Sequence, residues 1–285
     1  MPMSPRTLRP RVAGAAVHQE AADWKNRVIA NGGASPSTAT VKAVSDFCKS
    51  IDSNGLRSLL WRVNLMVGSD LSSALVPLYR STSFTGTVQG NTTDTNSNFV
   101  SGDYSETSGL VGNGSNKVLN TGLAASFRNG RHMGCVPFSV GSTSFRYYMG
   151  ARNGGTPANG GLWAFYAGSP TTVVGQYSYS DNVLVSGDTS GTATVKRLIL
   201  GNNVNGTGNA VLYSNGSAIG SATAGADTTL SASIAIFAVG QIAGTLSSYS
   251  NARLSGYTIG ENMTGSQVAA YNTIWTTLLT ALGRA

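Results

Sequence analysis

Charge is scarce in this chain of 285 residues: Asp, Glu, Lys and Arg make up 11%, against about a quarter in ordinary globular proteins. Only 12 residues are acidic, and no strand-like stretch carries the alternating carboxylates that a sandwich glycosidase would need on one face. Histidine is rarer still. His18 and His132 stand far apart, so neither a Ser/His triad nor a metal-ligand spacing can be read from them. Cys48 and Cys135 lie in segments of different character with no CxxC pair, which argues against a disulfide scaffold and for two reduced thiols. No apolar run is long enough to span a membrane, and none follows the early arginines as a secretory signal requires. No cofactor, metal or membrane insertion is expected.

What is abundant is Gly, with 36 copies, accompanied by Ser, Thr and Asn in the second half. Such a mixture suits short strands joined by tight turns, because Gly and Asn tolerate positive φ. Hydrophobic residues at 41% and 11 tyrosines separate the chain from disordered compositions. The net charge of +7 is diffuse. Its densest part is "MPMSPRTLRPRVAG", where Arg6, Arg9 and Arg11 stand among prolines that forbid a continuous helix. Residues 1–20 therefore read as an extended basic arm for assembly. Lys196 and Arg197 are adjacent, but neighbours in a strand face opposite ways, so they form no patch and nucleic acid is not an expected partner.

Residues 21–80 are patterned as a helical docking unit. One helix carries Trp24 and Val28 and stops at Gly32-Gly33; a second, capped by Ser35 ahead of Pro36, carries Val41, Val44, Cys48 and Ile51 as one stripe. A third is expected over "LRSLLWRVNLM" from Leu56, Leu59, Leu60 and Val63, and a short fourth from Ser69 or Asp70 to Pro77. Residues 81–97 have turn composition and read as a linker or loop. The periodicity then falls to two, and ten strand-like runs between 98 and 262 predict an antiparallel β-sandwich. Asn215-Gly216 predicts a type I′ hairpin between two of them. Residues 263–283 return to helix, with Thr264 and Gln267 at capping-box spacing. The fold class is mainly β, a sandwich preceded by small helices and closed by a C-terminal helix.

The succession "AVLYSNGSAIGSAT", "SIAIFAVGQ" and "ARLSGYTIGENMTGSQVAAYNTIWTTL" resembles the end of concanavalin A-like, or laminin-G-like, jelly-roll sandwiches. Residues 28–78, followed by "NFVSGDYSETSGLVGNGSNKVLNTGL" at 98–123, resemble virion structural proteins of bacteriophages and prophages. That resemblance implies a virion protein attached to tail or capsid, assembled in the bacterial cytoplasm. Its partners would be other virion proteins and further copies of itself, with a lectin-like sandwich serving decoration or adhesion.

The candidate sites are few. Tyr177 and Tyr179 alternate along one strand and could stack on a host-surface glycan, which is the alternative function; a polysaccharide-degrading enzyme is a more distant one. Asp103 and Glu106 are the nearest acidic pair, three apart in a turn, and read as a solvated loop. "GLVGNGSNK" at 109–117 has the glycine density of a phosphate loop but lacks its Gly-Lys-Ser/Thr ending. A calcium site would want about six to eight oxygens, and the chain offers no dense Asp series. No residue is assigned to catalysis.

Overall fold

The computed structural model describes residues 16–80, 93–124, 130–141, 146–152, 162–167, 176–180, 183–186, 196–203, 209–223, 232–241 and 246–285; segments 162–167, 176–180 and 183–186, with Ala124, Arg146, Asn209 and Gln241, are described through their backbone. The basic arm with Arg6, Arg9 and Arg11 lies outside the described residues.

Helix α1 (Gln19–Ala30) begins where the His18 side chain accepts the Glu20 amide, and it buries Ala21, Trp24, Arg27 and Val28. Helix α2 (Thr38–Ser53) starts two residues later than expected: the cap is Ser37, whose hydroxyl accepts the Thr40 amide, and not Ser35. Its predicted stripe of Val41, Val44, Cys48 and Ile51 is buried throughout.

The expected third helix is not one. Arg57–Leu59 make a single 3-10 turn and the chain then extends into β1 (Leu60–Asn64). Leu56, Leu60 and Val63 are nevertheless buried in one apolar cluster, with Leu59 packed against it. The turn and a bulge between Leu60 and Arg62 bring the same residues to the same layer that a helix would have used. The bulge also brings backbone very close: a Cβ on Gly260 of the neighbouring strand would lie 1.9 Å from the Leu59 carbonyl oxygen, so only Gly fits. Helix α3 (Leu71–Ala74), capped by Asp70, follows as expected.

The remaining elements are β2 (Tyr79–Arg80), β3 (Thr95–Ser97), β4 (Tyr104–Ser105), β5 (Gly109–Val111), β6 (Val118–Ala124), β7 (Arg131–Ser139) and β8 (Arg146–Arg152). Then come β9 (Leu162–Ala167), β10 (Gln176–Ser180), β11 (Val183–Ser186), β12 (Ile199–Asn203), β13 (Asn209–Ser214) and β14 (Ser217–Thr223). The chain closes with β15 (Ser233–Ile236), β16 (Val239–Gln241), β17 (Leu246–Ser247), β18 (Arg253–Glu261) and α4 (Gly265–Ala281). The run "SIAIFAVGQ" is broken into β15 and β16 at Phe237, whose φ is 72°.

Among the described residues these strands form two sheets. Sheet A runs β14-β13-β12-β7-β18-β1-β2, with β5 paired to β18 and β4 to β5; sheet B runs β11-β10-β9-β8-β15-β6-β3, with β16 paired to β8 and β17 to β16. All pairs are antiparallel except β16 beside β8. The molecule is an antiparallel β-sandwich. Asn215 and Gly216, at φ 52° and 78°, join β13 to β14 in the predicted primed turn.

Two corrections to the expected boundaries follow. The helical unit is not self-contained, because β1 and β2 are strands of sheet A, and β3 from the expected linker is a strand of sheet B. Sheet A is consequently buried on both faces. Met133, Cys135, Ile199 and Leu212 face the inter-sheet core with Met149 and Ile236 of sheet B. Val136, Leu198 and Leu200 meet Trp24, Phe47, Tyr271 and Trp275 from α1, α2 and α4 on the other side. Helix α4 carries the capping box formed by Thr264 and Gln267, and its Tyr271 and Trp275 rings pack on Phe47 of α2.

The end of the chain is locked in. Arg284 is fully buried; its Nε donates to the Glu106 carbonyl at 2.8 Å, Nη1 to those of Leu65 and Ser255, and Nη2 to that of Met66 at 2.7 Å. Arg284→Ala leaves these carbonyls without donors and should cost about 3 kcal/mol by urea denaturation. A loss below about 1 kcal/mol would show that water replaces the guanidinium at little cost.

Candidate functional site

Among the described residues the helices shield the outer face of sheet A and not that of sheet B. Residues directly opposite in a ladder share a face. Leu119 and Leu123 of β6 point into the inter-sheet core, whereas Asn120 and Gly122 between them are exposed, as is Thr95 of β3, which stands opposite Asn120. Part of this face is roofed by the turn after β15, where Val118, Ala235 and Ala238 form a small cluster with Leu246 and Tyr249. Tyr147 of β8 is half-buried beyond that roof. Burial raises its phenol pKa, and the nearby Arg152 charge opposes the rise.

The register sorts the tyrosines of this sheet into rows. Tyr147 stands opposite Tyr166, which stands opposite Gln176 and then Ser186. Met149, buried in the core, stands opposite Phe165, which stands opposite Tyr177. Tyr177 thus belongs to the backbone row of a core residue, and Tyr179 falls at the register shift between Ser178 and Ser180. The side chains of both lie outside the described residues.

The acidic candidates are occupied elsewhere. Asp103 pairs with Lys117 and accepts the Val100 amide, while Glu106 accepts the Thr40 hydroxyl of α2 at 3.0 Å. The two carboxylates serve different contacts and frame no cleft. In the glycine-rich turn, Asn113 Oδ1 accepts the amides of Ser115, Asn116 and Lys117, which closes the loop on itself. Lys196 donates to the Ala285 carbonyl and lies 4.9 Å over the Phe138 ring.

A cluster that spacing did not reveal lies where α1 meets α2. His18, Glu20 and Cys48 bring their nitrogen, carboxylate and sulfur atoms within 4.8 Å of one another. His18 Nε2 lies 2.8 Å from Asp52 Oδ2, and its Nδ1 accepts the Glu20 amide at 3.2 Å. Arg57 pairs with Glu20 Oε1 and stacks 4.1 Å over the Tyr79 ring. Burial, reinforced by the Glu20 charge, pushes the Cys48 thiol up to about 12. An open groove of about 540 Å³ lined by Asp52, Gly55, Arg57 and Ser58 borders the cluster. The helical stripe placed Cys48 in the core, but its meeting with His18 depends on the packing of two helices and has no local pattern.

His132 is structural. It is fully buried, donating from Nδ1 to the Glu261 carbonyl and accepting at Nε2 from Thr258, which in turn accepts the Tyr271 hydroxyl.

Against known proteins, no family model matches the chain, and no curated protein does. Among solved structures it is similar to the Ruminococcus gnavus IT-sialidase CBM40 bound to α2,3-sialyllactose, at 11% identity and a TM-score of 0.42, covering 52% of this chain and 83% of that one. A Trypanosoma rangeli sialidase in complex with 2,3-difluorosialic acid is similar over 82% of this chain and 39% of its own, at 10% identity and a TM-score of 0.48. The heptameric SAP-like pentraxin of Limulus polyphemus gives 16% identity and a TM-score of 0.37, covering 51% of this chain and 72% of that one. Among the described residues, no helix is long and apolar enough to cross a membrane.

The buried imidazole gives a pH test. Burial draws His132 down to about 4, against 6.5 for a free imidazole, so the unfolded chain takes up its proton first as pH falls. Its contribution is complete above pH 6.5 and is lost progressively toward pH 4, by about 3 kcal/mol in total. Urea denaturation of the wild type and His132→Gln across this window should show the wild type losing more. Equal pH slopes would contradict the assignment.

Proposed function

We propose that the protein is a non-enzymatic, lectin-like module that binds glycan on the outer face of sheet B. The observation that carries this reading is the asymmetry of the sandwich: among the described residues helices cover one outer face, and the other presents exposed Asn120 and Thr95 on one side of the small cluster at Val118 and Ala235, with the row begun by Tyr147 beyond it. Tyrosine rings offer apolar faces to the C–H side of a pyranose, and neighbouring amides and hydroxyls can fix its hydroxyl groups. The row Tyr147, Tyr166 and Gln176 supports this use better than the row of Tyr177, which shares its register with buried Met149.

The resemblance of residues 28–78 and 98–123 favours a virion as the setting. The chain enters its described part at Ala16 and Val17, on the helical side, with Val17 50% exposed beside Thr38, Val41 and Lys42 of α2. Anchoring through residues 1–15 would direct sheet B away from the anchor. In that arrangement weak sites on many copies add up to tight attachment.

A glycan array read with the full chain, followed by titration of the best ligand, tests the binding. Tyr147→Ala and Tyr166→Ala should each weaken binding at least about tenfold, or about 1.4 kcal/mol, while both variants remain folded by circular dichroism. Absence of any bound glycan, or unchanged affinity in both variants, refutes the site. Deleting residues 1–15 should release the protein from particles while leaving glycan affinity unchanged; retention on particles refutes the anchoring role.

A further inference from the structure

The cluster at the start of α1 has the composition and the loose ends of a metal site. Glu20 uses Oε1 for Arg57, but its Oε2 is buried and has no hydrogen-bond partner. The Tyr79 hydroxyl, on a side chain only 2% exposed, lies against the Cys48 thiol and fixes its place in the cluster. Buried polar atoms are nearly always satisfied, so the orphaned Glu20 oxygen marks a missing partner. His18 is held by Asp52 at Nε2, and its Nδ1 accepts the Glu20 backbone amide only through a long 3.2 Å contact, which an ion at Nδ1 would replace. A carboxylate on the far nitrogen is how a ligating histidine is oriented and made more basic.

We propose that His18 Nδ1, Glu20 Oε2 and Cys48 Sγ bind a divalent transition-metal ion of the zinc class. The donor set decides the class. Imidazole and thiolate select a borderline-soft ion over calcium or magnesium, which take oxygen ligands. The charges agree as well. Glu20 and Asp52 exceed Arg57 by one negative charge; a divalent cation, with release of the Cys48 proton to solvent, brings the group to neutrality. His18 keeps its Nε2 proton on Asp52, and Nδ1, Sγ and Oε2 each give a lone pair to the ion.

The ligand atoms, now within 4.8 Å of one another, have to close by roughly 1 Å to reach ordinary metal–ligand distances. Cys48 is fixed in the middle of α2, whereas His18 and Glu20 sit at the start of α1 with side chains 19% and 30% exposed, so closure falls to them. The bordering groove past Asp52 and Arg57 gives the ion an approach from solvent, and the fourth position stays available to water. This site lies on the helical side of the sandwich and is independent of glycan binding on sheet B.

Titration of the reduced full chain with Co²⁺ tests the proposal. One equivalent should bind and produce thiolate-to-cobalt absorption in the near ultraviolet, which Zn²⁺ then abolishes by displacement. Cys48→Ser should remove the absorption, and Cys135→Ser, which alters the other buried thiol, should leave it. Asp52→Asn should keep the absorption but weaken Co²⁺ binding by about 10–100-fold. If Cys48→Ser does not fold by circular dichroism, Glu20→Gln, at a partly exposed position, takes its place and should weaken binding at least about tenfold. A folded wild-type chain that gives no thiolate absorption with Co²⁺ overturns the proposal. Absorption that survives Cys48→Ser, or Co²⁺ affinity unchanged by Glu20→Gln, overturns it equally.

Discussion

The fold turns on a charge pair that water never reaches. Arg62 on β1 and Asp94 just before β3 are both about fully buried, with Arg62 Nη2 2.7 Å from Asp94 Oδ1. Asp94 collects further donors: Arg62 Nε at 3.2 Å, the Tyr257 hydroxyl at 2.7 Å and Asn64 Nδ2 at 2.7 Å, while its own amide donates to the Leu75 carbonyl. Burial and the Asp94 charge hold the Tyr257 hydroxyl far up in its protonated, donating form. A buried pair of this kind repays its desolvation only when the surrounding hydrogen bonds are well made, and breaking one partner is costly. Arg62 and Asn64 alternate with Val63, which goes to the helical side. One short strand therefore belongs to two cores: its polar residues fasten the connection to sheet B and its apolar residue seats the helices.

This arrangement explains what could be read from the sequence and what could not. Features decided within a few residues were legible: the primed turn at Asn215-Gly216, the capping box of α4, the buried stripe of α2 and the alternation of the later strands. Leu56, Leu59, Leu60 and Val63 were recognised as core companions, yet their spacing was taken for a helix. The deciding partners of Arg62 and Asn64 are Asp94 and Tyr257, about 30 and nearly 200 residues away along the chain. Nothing within the segment itself marks Arg62 and Asn64 for a buried network. His18 and Cys48 escaped notice for the same reason, since helix packing and no motif brings them together. In the candidate glycan face, alternation puts Tyr177 and Tyr179 on one face of their strand but does not say which face is outward, and their side chains lie outside the described residues.

Function follows from how the layers are used. Because sheet A spends both faces on burial, it is the rigid middle of the molecule, and binding chemistry is left to the two exteriors. The helical exterior offers a small, buried cluster with nitrogen, sulfur and carboxylate donors; the described part of the sheet B exterior offers exposed Asn120 and Thr95, a small apolar cluster and half-buried Tyr147. Among the described residues Asp23, Asp70, Asp94, Asp103 and Glu261 each hold a cation, a helix cap or a neighbouring amide.

The central claim is that the N-terminal helices, β1 and the sandwich form one cooperative unit fastened at Arg62 and Asp94. Native-state amide hydrogen exchange measures this directly. The account predicts that amides of β1, α2 and β18 open together, at the free energy of global unfolding, and that Asp94→Asn lowers all three by the same amount. Independent, earlier opening of residues 19–64, with β18 and β7 still protected, would contradict it.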